Sequence, residues 1–176
     1  MSFTGNSIIP TLETERLRLR PFQLSDLDAY AEFCADAEVM KFIGLGSVFS
    51  RTDTWNHIAR MLGHWQLLKH GMWAVEELAT GLLVGRVGSL QPEGWPGFEL
   101  GWLLGRSFWG KGFAVEASQA ALGHAFNSLN QSHVISLMFP ENSASIKVAE
   151  RLGETLEGEI TIFDMQVLQF GIHKPS

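Results

Sequence analysis

The order of the predicted elements is compatible with a mixed α/β fold. It reads as one strand, two helices, three strands, a helix, a strand, a helix and two final strands. The first strand shows apolar residues at every second position, whereas the helix over 52–69 has apolar residues along one side. A mixed sheet with helices on both faces accommodates this order. The chain has 176 residues, of which 45% are hydrophobic, so we expect one domain spanning 1–176 with a substantial core.

The first half of the chain is predicted to form a strand, two helices and a pair of strands. Leu17 and Leu19 alternate with arginines, as in a half-buried strand whose arginines face solvent, and Pro21 ends it. Ser25 is the expected N-cap of a helix that runs to about Ala35. The next predicted elements are a helix over 52–69 and two strands over 72–77 and 82–90.

The second half begins with a central apolar strand over 98–104, which leads through a glycine turn into a helix over 115–129. A strand–helix–strand unit of this kind is expected to be parallel with a right-handed crossover. Gly153 is the expected C-terminal stop of a further helix. The remaining predicted elements are a strand over 134–138, that helix over 143–152, and a hairpin of strands over 155–163 and 166–172.

The turn around Gly110, Lys111 and Gly112 is predicted to bind a phosphate group. The first N–H groups of a helix have no partner within the helix, and glycines let an anion approach the backbone. A nucleotide-triphosphate loop fits Gly105, Gly110 and Lys111, but Gly112 replaces the hydroxyl that must bind magnesium. A dinucleotide fingerprint fits the two glycines of the turn, but its last position is Val115. A third interpretation is the pyrophosphate loop of an acetyltransferase.

The third interpretation is supported by pieces that span most of the chain. Residues 109–114 read Trp-Gly-Lys-Gly-Phe-Ala, similar to the loop pattern Gln/Arg-x-x-Gly-x-Gly/Ala, with Trp109 departing at the first position. Segments 14–21, 99–104, 142–145 and 151–153 look like other family segments in family order. The chain therefore resembles the GNAT superfamily of N-acetyltransferases, in particular its branch of ribosomal-protein N-terminal acetyltransferases.

The resemblance implies a mostly antiparallel central sheet in which two neighbouring parallel strands splay apart. The pantetheine arm of acetyl-CoA, the co-substrate, would enter that gap and pair with the backbone of the central strand. The cofactor-binding residues that it implies are Leu103, Leu104, Trp109, Gly110, Lys111, Gly112, Phe113, Ala114 and Asn142. No metal ligand is implied, and the six histidines form no recognised zinc motif.

The resemblance also implies direct transfer of acetyl to an amine. Glu99 occupies the position of the branch's proposed base, and Ser145 the position of a serine proposed to protonate the departing thiol. The only tyrosine, Tyr30, lies in the first helix. An N–H group near Leu104 would stabilise the oxyanion. A lysine amine is neutral in roughly one molecule per 2,500 at pH 7, but an α-amine in roughly one per seven, so an N-terminal α-amine is the leading acceptor.

Two alternatives remain open at this point. The acceptor could be a small-molecule amine, such as an amino acid, a polyamine or a drug. The chain could also be a non-catalytic acyl-CoA-binding sensor, which needs the phosphate turn but no base. Cys34 has no motif around it and is expected to be a buried apolar residue, so a covalent intermediate is not expected.

Composition excludes several other classes of protein. The net charge of −6 argues against nonspecific nucleic-acid binding. No apolar run is long enough to span a membrane, and the N-terminus does not resemble a signal peptide, so a soluble cytoplasmic monomer or homodimer is expected. Core positions are expected for Trp55, Trp65, Trp73 and Trp95, with an aromatic-lined acceptor pocket as the minor alternative.

Overall fold

A mixed sheet of eight strands forms the centre of the structure, a computed structural model that describes residues 9–175. The strands are β1 (Leu12–Glu13), β2 (Leu17–Arg20), β3 (Met72–Glu77), β4 (Leu83–Leu90), β5 (Glu99–Leu104), β6 (His133–Met138), β7 (Thr155–Ile162) and β8 (Met165–His173). Their order across the sheet is β1-β2-β3-β4-β5-β6-β8-β7. Within the described residues every neighbouring pair is antiparallel except β5 with β6.

Helices cover both faces of the sheet, which confirms the predicted fold class. They are α1 (Leu27–Ala35), α2 (Ala37–Met40), α3 (Arg51–Leu68), α4 (Phe113–Asn127) and α5 (Ser143–Leu152). Tyr30 and Ile58 pack α1 and α3 onto one face. Phe113 and Ala117 pack α4 onto the other face, where Ala149 of α5 also lies against β6 and β8. In the part of the chain that is described, no helix combines the length and apolar character required to cross a bilayer.

The start of α1 differs from the prediction. A 3-10 turn over Leu24–Asp26 precedes the helix, and its capping residue is Gln23 rather than Ser25. The Gln23 N–H donates to the carboxylate of Asp26 at 2.8 Å, and that carboxylate also accepts two 2.8 Å hydrogen bonds from Arg20. The ion pair to Arg20, which comes from the preceding strand β2, holds Asp26 at the start of the helix, and capping preferences at Ser25 did not reveal it.

The arginines of β2 form ion pairs rather than one solvated face. Arg18 binds Glu76 at 3.0 Å, and Arg20 binds the same carboxylate at 2.7 Å. Glu76 lies opposite Arg18 on β3, where cross-strand pairs of opposite charge are stabilising. The prediction of a solvated strand face is therefore wrong for Arg20, whose side chain is largely buried.

The parallel pair β5–β6 separates almost as soon as it forms. Glu99 opposite Ile135 is its single register pair, and the Ile135 N–H donates to the Phe98 carbonyl at 2.9 Å. One residue further on, the Ser136 hydroxyl bridges the widening space to the Leu100 carbonyl at 2.9 Å. The gap begins at this point and opens towards the ends of both strands.

We predict that Ser50→Ala lowers the free energy of unfolding by about 1 kcal/mol, which corresponds to a fall in Tm of about 2–4 °C. Ser50 caps α3 through a capping box in which its Oγ accepts from the Asp53 N–H at 3.1 Å and donates to the Asp53 carboxylate at 2.6 Å. Thermal unfolding followed by circular dichroism measures the change. Thr52→Ala, at an exposed position of the same turn, is the matched control, and an equal loss there would contradict the capping role.

Candidate active site

A cavity of about 570 Å³ lies over the gap between β5 and β6. Its walls come from the segment before α3, from α3 itself, from β4, β5 and β6, from the start of α5 and from the C-terminal hairpin. Glu99, Asn142 and Ser145 all line it. The structure thus brings together three predicted site residues: one on β5, one on α5 and one in the turn between β6 and α5.

Glu99 begins β5 at the point where the two parallel strands part, and only 9% of its surface is exposed. Burial raises the pKa of the Glu99 carboxyl to about 7. The indole N–H of Trp95 donates to the carboxylate at 2.6 Å, and the Arg86 charge and the backbone N–H of Leu137 also lower its pKa, but the three only partly offset the burial. The carboxyl can therefore take up and release a proton near neutral pH.

Arg86 of β4 is a cavity residue that the sequence analysis did not single out. Its side chain is 8% exposed, its Nη1 contacts the Met72 sulfur at 3.3 Å, and its Nε has no hydrogen-bond partner among the described residues. A buried guanidinium with an unpaired N–H donor destabilises the folded protein unless a ligand accepts that hydrogen bond. The one available signal was a single arginine within the otherwise uncharged stretch Leu83–Leu90.

Asn142 is the N-cap of α5, and its Oδ1 accepts from the Ser145 N–H at 3.2 Å. Capping uses only the carbonyl oxygen of the side chain, so its amide NH₂ group remains available as a donor in the cavity. Ser145 lies in the first turn of the same helix, and its hydroxyl is on the cavity side of α5. The capping role and a ligand-binding role for Asn142 are compatible.

The hydrogen-bond ladder between β4 and β5 decides which backbone groups of β5 face the gap. Gly105 N–H donates to the Val84 carbonyl at 2.9 Å, and from that pair the bonds to β4 alternate along the strand. Leu103 is therefore bonded to β4 and does not offer its backbone to the gap. The residues that do so are Trp102 and Leu104. The predicted contact at Leu104 has suitable geometry, whereas the one at Leu103 is better assigned to Trp102.

Trp109 lies at the far end of this gap, just beyond β5. Its indole N–H donates to the Leu104 carbonyl at 2.9 Å, while 48% of the side chain remains exposed. The indole therefore satisfies one gap-facing carbonyl and leaves the N–H of the same residue available. This geometry gives a physical reason for an aromatic residue at the first position of the turn.

The glycine turn leads directly into α4 and has the geometry of an anion site. Gly110 and Gly112 have φ values of 73° and 81°, and Gly112 is the N-cap of the helix. The intrahelical ladder begins with the Glu116 N–H donating to the Gly112 carbonyl at 3.1 Å, so the N–H groups of Phe113 and Ala114 precede it. A Cβ added at Gly110 would meet no atom within 4 Å, so the turn faces open space.

Arg16, in the turn between β1 and β2, contacts this glycine turn, and the sequence did not reveal that contact. Its Nη1 donates to the Lys111 carbonyl at 3.0 Å, and its Nη2 is 2.6 Å from the Glu116 carboxylate. Thr14 donates to the same carboxylate at 2.6 Å. The Lys111 ammonium lies 5.2 Å from the centre of the Phe108 ring and is exposed, so it remains free to contact an anion.

The tryptophans divide between core and cavity. Trp65 and Trp73 are buried and meet edge to face, with ring centroids 4.8 Å apart, as predicted for core residues. Trp55 is 52% exposed, so its predicted core position is wrong because it projects from the outer side of α3. Trp95 lines the cavity, which supports the alternative of an aromatic-lined pocket at this residue.

The other residues with possible acid–base or nucleophilic roles are poorly suited to them. His57 lines the cavity, but burial lowers the pKa of its imidazole to about 3. Cys34 is fully buried as predicted, and burial raises the pKa of its thiol. Tyr30 is also fully buried, between α1 and the sheet. Among the described cavity residues, Glu99 is the group whose pKa is brought close to neutrality.

Comparison with known proteins agrees with this geometry. The family profile described as the acetyltransferase (GNAT) domain matches residues 16–155. The N-acetyltransferase p20 of Bacillus licheniformis is 33% identical over 150 residues, or 84% of each chain. The crystal structure of an acetyltransferase from Agrobacterium tumefaciens strain C58 has a TM-score of 0.85 at 34% identity, covering 99% of both chains. RimL, a ribosomal L7/L12 α-N-protein acetyltransferase solved with coenzyme A, shares the fold with a TM-score of 0.79 at 19% identity, over 93% of this chain and 98% of its own.

The chain therefore belongs to the GNAT family of acetyltransferases. It is an acyltransferase, and its activity is N-acetyl transfer from acetyl-CoA to an amine. The cavity over the gap is where the donor and acceptor of such a reaction would meet.

Glu154 is a second buried carboxyl, positioned behind the gap. It is 3% exposed, and its Oε1 lies 3.0 Å from the Ser136 Oγ, which can accept the proton of the neutral carboxyl while its own proton goes to Leu100. Its Oε2 has no hydrogen-bond partner among the described residues. Burial raises the pKa of this carboxyl from 4.5 to about 7. The same serine holds the Leu100 carbonyl of β5, so the protonated acid supports the residue that bridges the two strands.

We predict that Glu154→Gln gains stability relative to the unchanged protein as the pH rises. Because the folded-state pKa is raised, the proton on Glu154 favours the native state below pH 4.5, and this contribution is lost as the pH rises through about 7. The difference in unfolding free energy between the two proteins should change by on the order of 2 kcal/mol between pH 5 and pH 8. Urea unfolding at both values measures it. Glu150→Gln, at an exposed position of α5, should show no such change. If Glu154→Gln differs from the unchanged protein by the same free energy at both pH values, the burial argument is refuted.

Proposed function

We propose that this chain acetylates the N-terminal α-amine of a peptide or protein in a ternary complex with acetyl-CoA, and that residues 1–176 form one catalytic domain. The observation that carries the proposal is the position of Glu99, a desolvated carboxyl in the cavity wall where β5 and β6 part. A base at this point can receive the proton of an amine that attacks the thioester. The fold shared with RimL, which is named for acetylating a ribosomal protein's α-amine, is consistent with this acceptor class.

The pKa of Glu99 favours an α-amine over a lysine side chain. The carboxyl has its pKa raised to about 7, whereas an α-ammonium has a pKa of about 7.8 and a lysine ammonium of about 10.4. Moving a proton from the acceptor to Glu99 is therefore uphill by about one pK unit for an α-amine and by more than three for lysine. Each unit corresponds to about 1.4 kcal/mol.

Arg86 favours an acceptor that carries an oxygen close to its amine. The buried guanidinium lines the same cavity as Glu99, and its Nε lacks a hydrogen-bond partner within residues 9–175. The first carbonyl of a peptide, or the carboxylate of a free amino acid, would satisfy it. A polyamine would instead bring further positive charge towards a buried cation. An amino acid is therefore the second candidate acceptor, and the cavity volume of about 570 Å³ would admit one.

We assign the donor to the opposite side of the gap. The turn from Trp109 to Ala114 would hold the diphosphate of acetyl-CoA through its N–H groups, with Lys111 as an additional charge. The pantetheine arm would pair with the gap-facing backbone of Trp102 and with the N–H of Leu104, and the amide of Asn142 would contact it from α5.

Acetyl transfer then needs no covalent enzyme intermediate. The amine nitrogen attacks the thioester carbon, Glu99 accepts the amine proton, and the carbon–sulfur bond breaks to release coenzyme A as a thiolate. The N–H of Trp102, the other gap-facing residue and the one nearer to Glu99 along β5, would stabilise the tetrahedral oxyanion, because the pantetheine arm uses the Trp102 carbonyl and the Leu104 N–H. The Ser145 hydroxyl is assigned to pass a proton to the departing sulfur and would be reprotonated from solvent.

For cofactor binding, we predict that Gly112→Ala raises the Kd for coenzyme A at least tenfold. Alanine at φ 81° strains the turn by about 1–2 kcal/mol and adds a methyl group where the diphosphate approaches. Isothermal titration calorimetry measures the Kd. The matched control is Gly123→Ala within α4, where an added Cβ meets no atom within 4 Å and affinity should not change. Wild-type affinity in Gly112→Ala would argue against a diphosphate in this turn.

For catalysis, we predict that peptides with a free N-terminus release thiol from acetyl-CoA, and that Glu99→Gln lowers kcat by about 10² or more. In the unchanged protein the pH profile of kcat/KM should contain an inflection near 7 from Glu99, whose carboxylate is the active form, beside that of the free α-amine at about 7.8, and Glu99→Gln should lose the lower one. The Kd for coenzyme A should stay unchanged. Glu93→Gln, in the exposed loop before β5, is the matched control and should keep full activity.

The same assay separates the remaining functions. The panel pairs each peptide with its N-terminally blocked form and adds free amino acids and spermidine. Thiol release with amino acids but not with peptides would favour the second acceptor. Full activity in Glu99→Gln would show that Glu99 is not the base. Coenzyme A binding without thiol release in the presence of any amine would favour a sensor module.

A further inference from the structure

Two histidines and a glutamate converge on three adjacent strands away from the acetyl-transfer cavity. They are His133 on β6, Glu157 on β7 and His173 on β8, and one ligand atom from each lies within 4.8 Å of the others. His133 Nε2 is 2.7 Å from Glu157 Oε1, and the two imidazole rings stack with centroids 4.4 Å apart. Imidazole nitrogen and carboxylate oxygen together are a donor set that zinc and similar divalent ions prefer.

The sheet itself creates this convergence. His133 and His173 are register partners across β6 and β8, which places their side chains on one face of the sheet. Glu157 is the extra residue of a β-bulge, since Leu156 and Gly158 of β7 pair with consecutive residues of β8. A bulge turns one side chain out of the regular alternation. Here it directs the Glu157 carboxylate across β8 towards His133.

Gly171 leaves the space through which the carboxylate passes. It lies on β8 opposite Ile135 of β6 and Thr155 of β7. A Cβ added at Gly171 would collide with the Glu157 carboxylate, so a side chain there would separate the three donors. The cluster is thus built from a bulge, a glycine and a register pair, rather than from surface residues that meet by chance.

We propose that His133, Glu157 and His173 form a binding site for one divalent transition-metal ion, of which Zn²⁺ is the best match, with water completing the coordination. Metal–ligand distances of about 2.0–2.1 Å place the donors of a tetrahedral site about 3.4 Å apart. Because the three side chains are partly exposed, small rotations bring them to that spacing. Gln169 donates to Glu157 Oε2 at 2.9 Å, which orients the carboxylate and leaves Oε1 facing the histidines.

The position of the site indicates a structural role. None of its three residues lines the cavity over the gap, so the ion would not touch the reacting atoms. It would instead join β6, β8 and the edge strand β7. An ion bound to the native state alone stabilises that state. The sequence pattern did not predict this site because its ligands lie on separate strands with no local motif between them.

The test uses the full chain, stripped of metal with a chelator that is then removed. Titration with ZnCl₂ in a calorimeter should give one ion per chain, and zinc at a hundredfold excess over its Kd should raise Tm by about 5–10 °C. His173→Ala and Glu157→Gln should each weaken zinc binding at least tenfold. Glu159→Gln removes an exposed carboxylate from the same strand and should bind zinc like the unchanged protein.

A second measurement needs no variant and covers the case in which one fails to fold. Co²⁺ added to the unchanged protein should shift the NMR signals of the His133 and His173 rings and leave those of His124, on α4, in place. One Zn²⁺ per chain with these effects supports the site. The proposal would be overturned if zinc did not bind, if His173→Ala and Glu157→Gln bound zinc as tightly as the unchanged protein, or if Co²⁺ shifted the signals of other histidines instead. None of these outcomes depends on acetyl transfer, so the proposed function and this site fail or stand separately.

Discussion

The separation of β5 from β6 after one register pair is the constraint on which the rest of the structure depends. Parallel neighbours normally continue to pair, and leaving strand amides unpaired is unfavourable unless another group binds them. Ser136 limits that cost by spanning the first step of the gap with its hydroxyl, supported by Glu154. The cavity, the available backbone of β5 and the exposed start of α4 all follow from this separation.

Buried charge at the gap links the geometry to the chemistry. Glu99 and Arg86 lie on neighbouring strands, and both are almost completely shielded from water. The Trp95 N–H and the arginine charge would lower the pKa of Glu99, but burial outweighs them. The same lack of solvent leaves Arg86 short of hydrogen bonds. The proposed acceptor, which brings an oxygen and an amine, would bond the unpaired Arg86 Nε and give its amine proton to Glu99.

Supports on both sides keep the gap in place. On one side, Arg16 connects the turn before β2 to the glycine turn through Lys111 and to α4 through Glu116. On the other side, β8 continues the sheet beyond β6, and the bulge in β7 brings Glu157 over β8 to His133. The first support fixes the anion-binding turn, and the second fixes the strand that forms the far wall of the gap. Neither involves the reacting groups, yet both determine where those groups lie.

The sequence determined the longer elements and their order, because hydrophobic period, glycine stops and turn residues are local properties, but it did not reveal the short elements β1 and α2. Two predicted elements, 72–77 and 143–152, coincide with β3 and α5, and the positive φ of Gly110, Gly112 and Gly153 suits the turns predicted there. Family-like segments also placed Glu99, Asn142 and Ser145 among the candidate site residues. Only the tertiary structure decided that Leu103 faces β4, that Arg86 is buried in the cavity and that a bulge turns Glu157 towards two histidines. These features depend on which residues of a strand are hydrogen-bonded to its neighbour, on burial, and on the register between strands that are distant in sequence. No local sequence pattern encodes them.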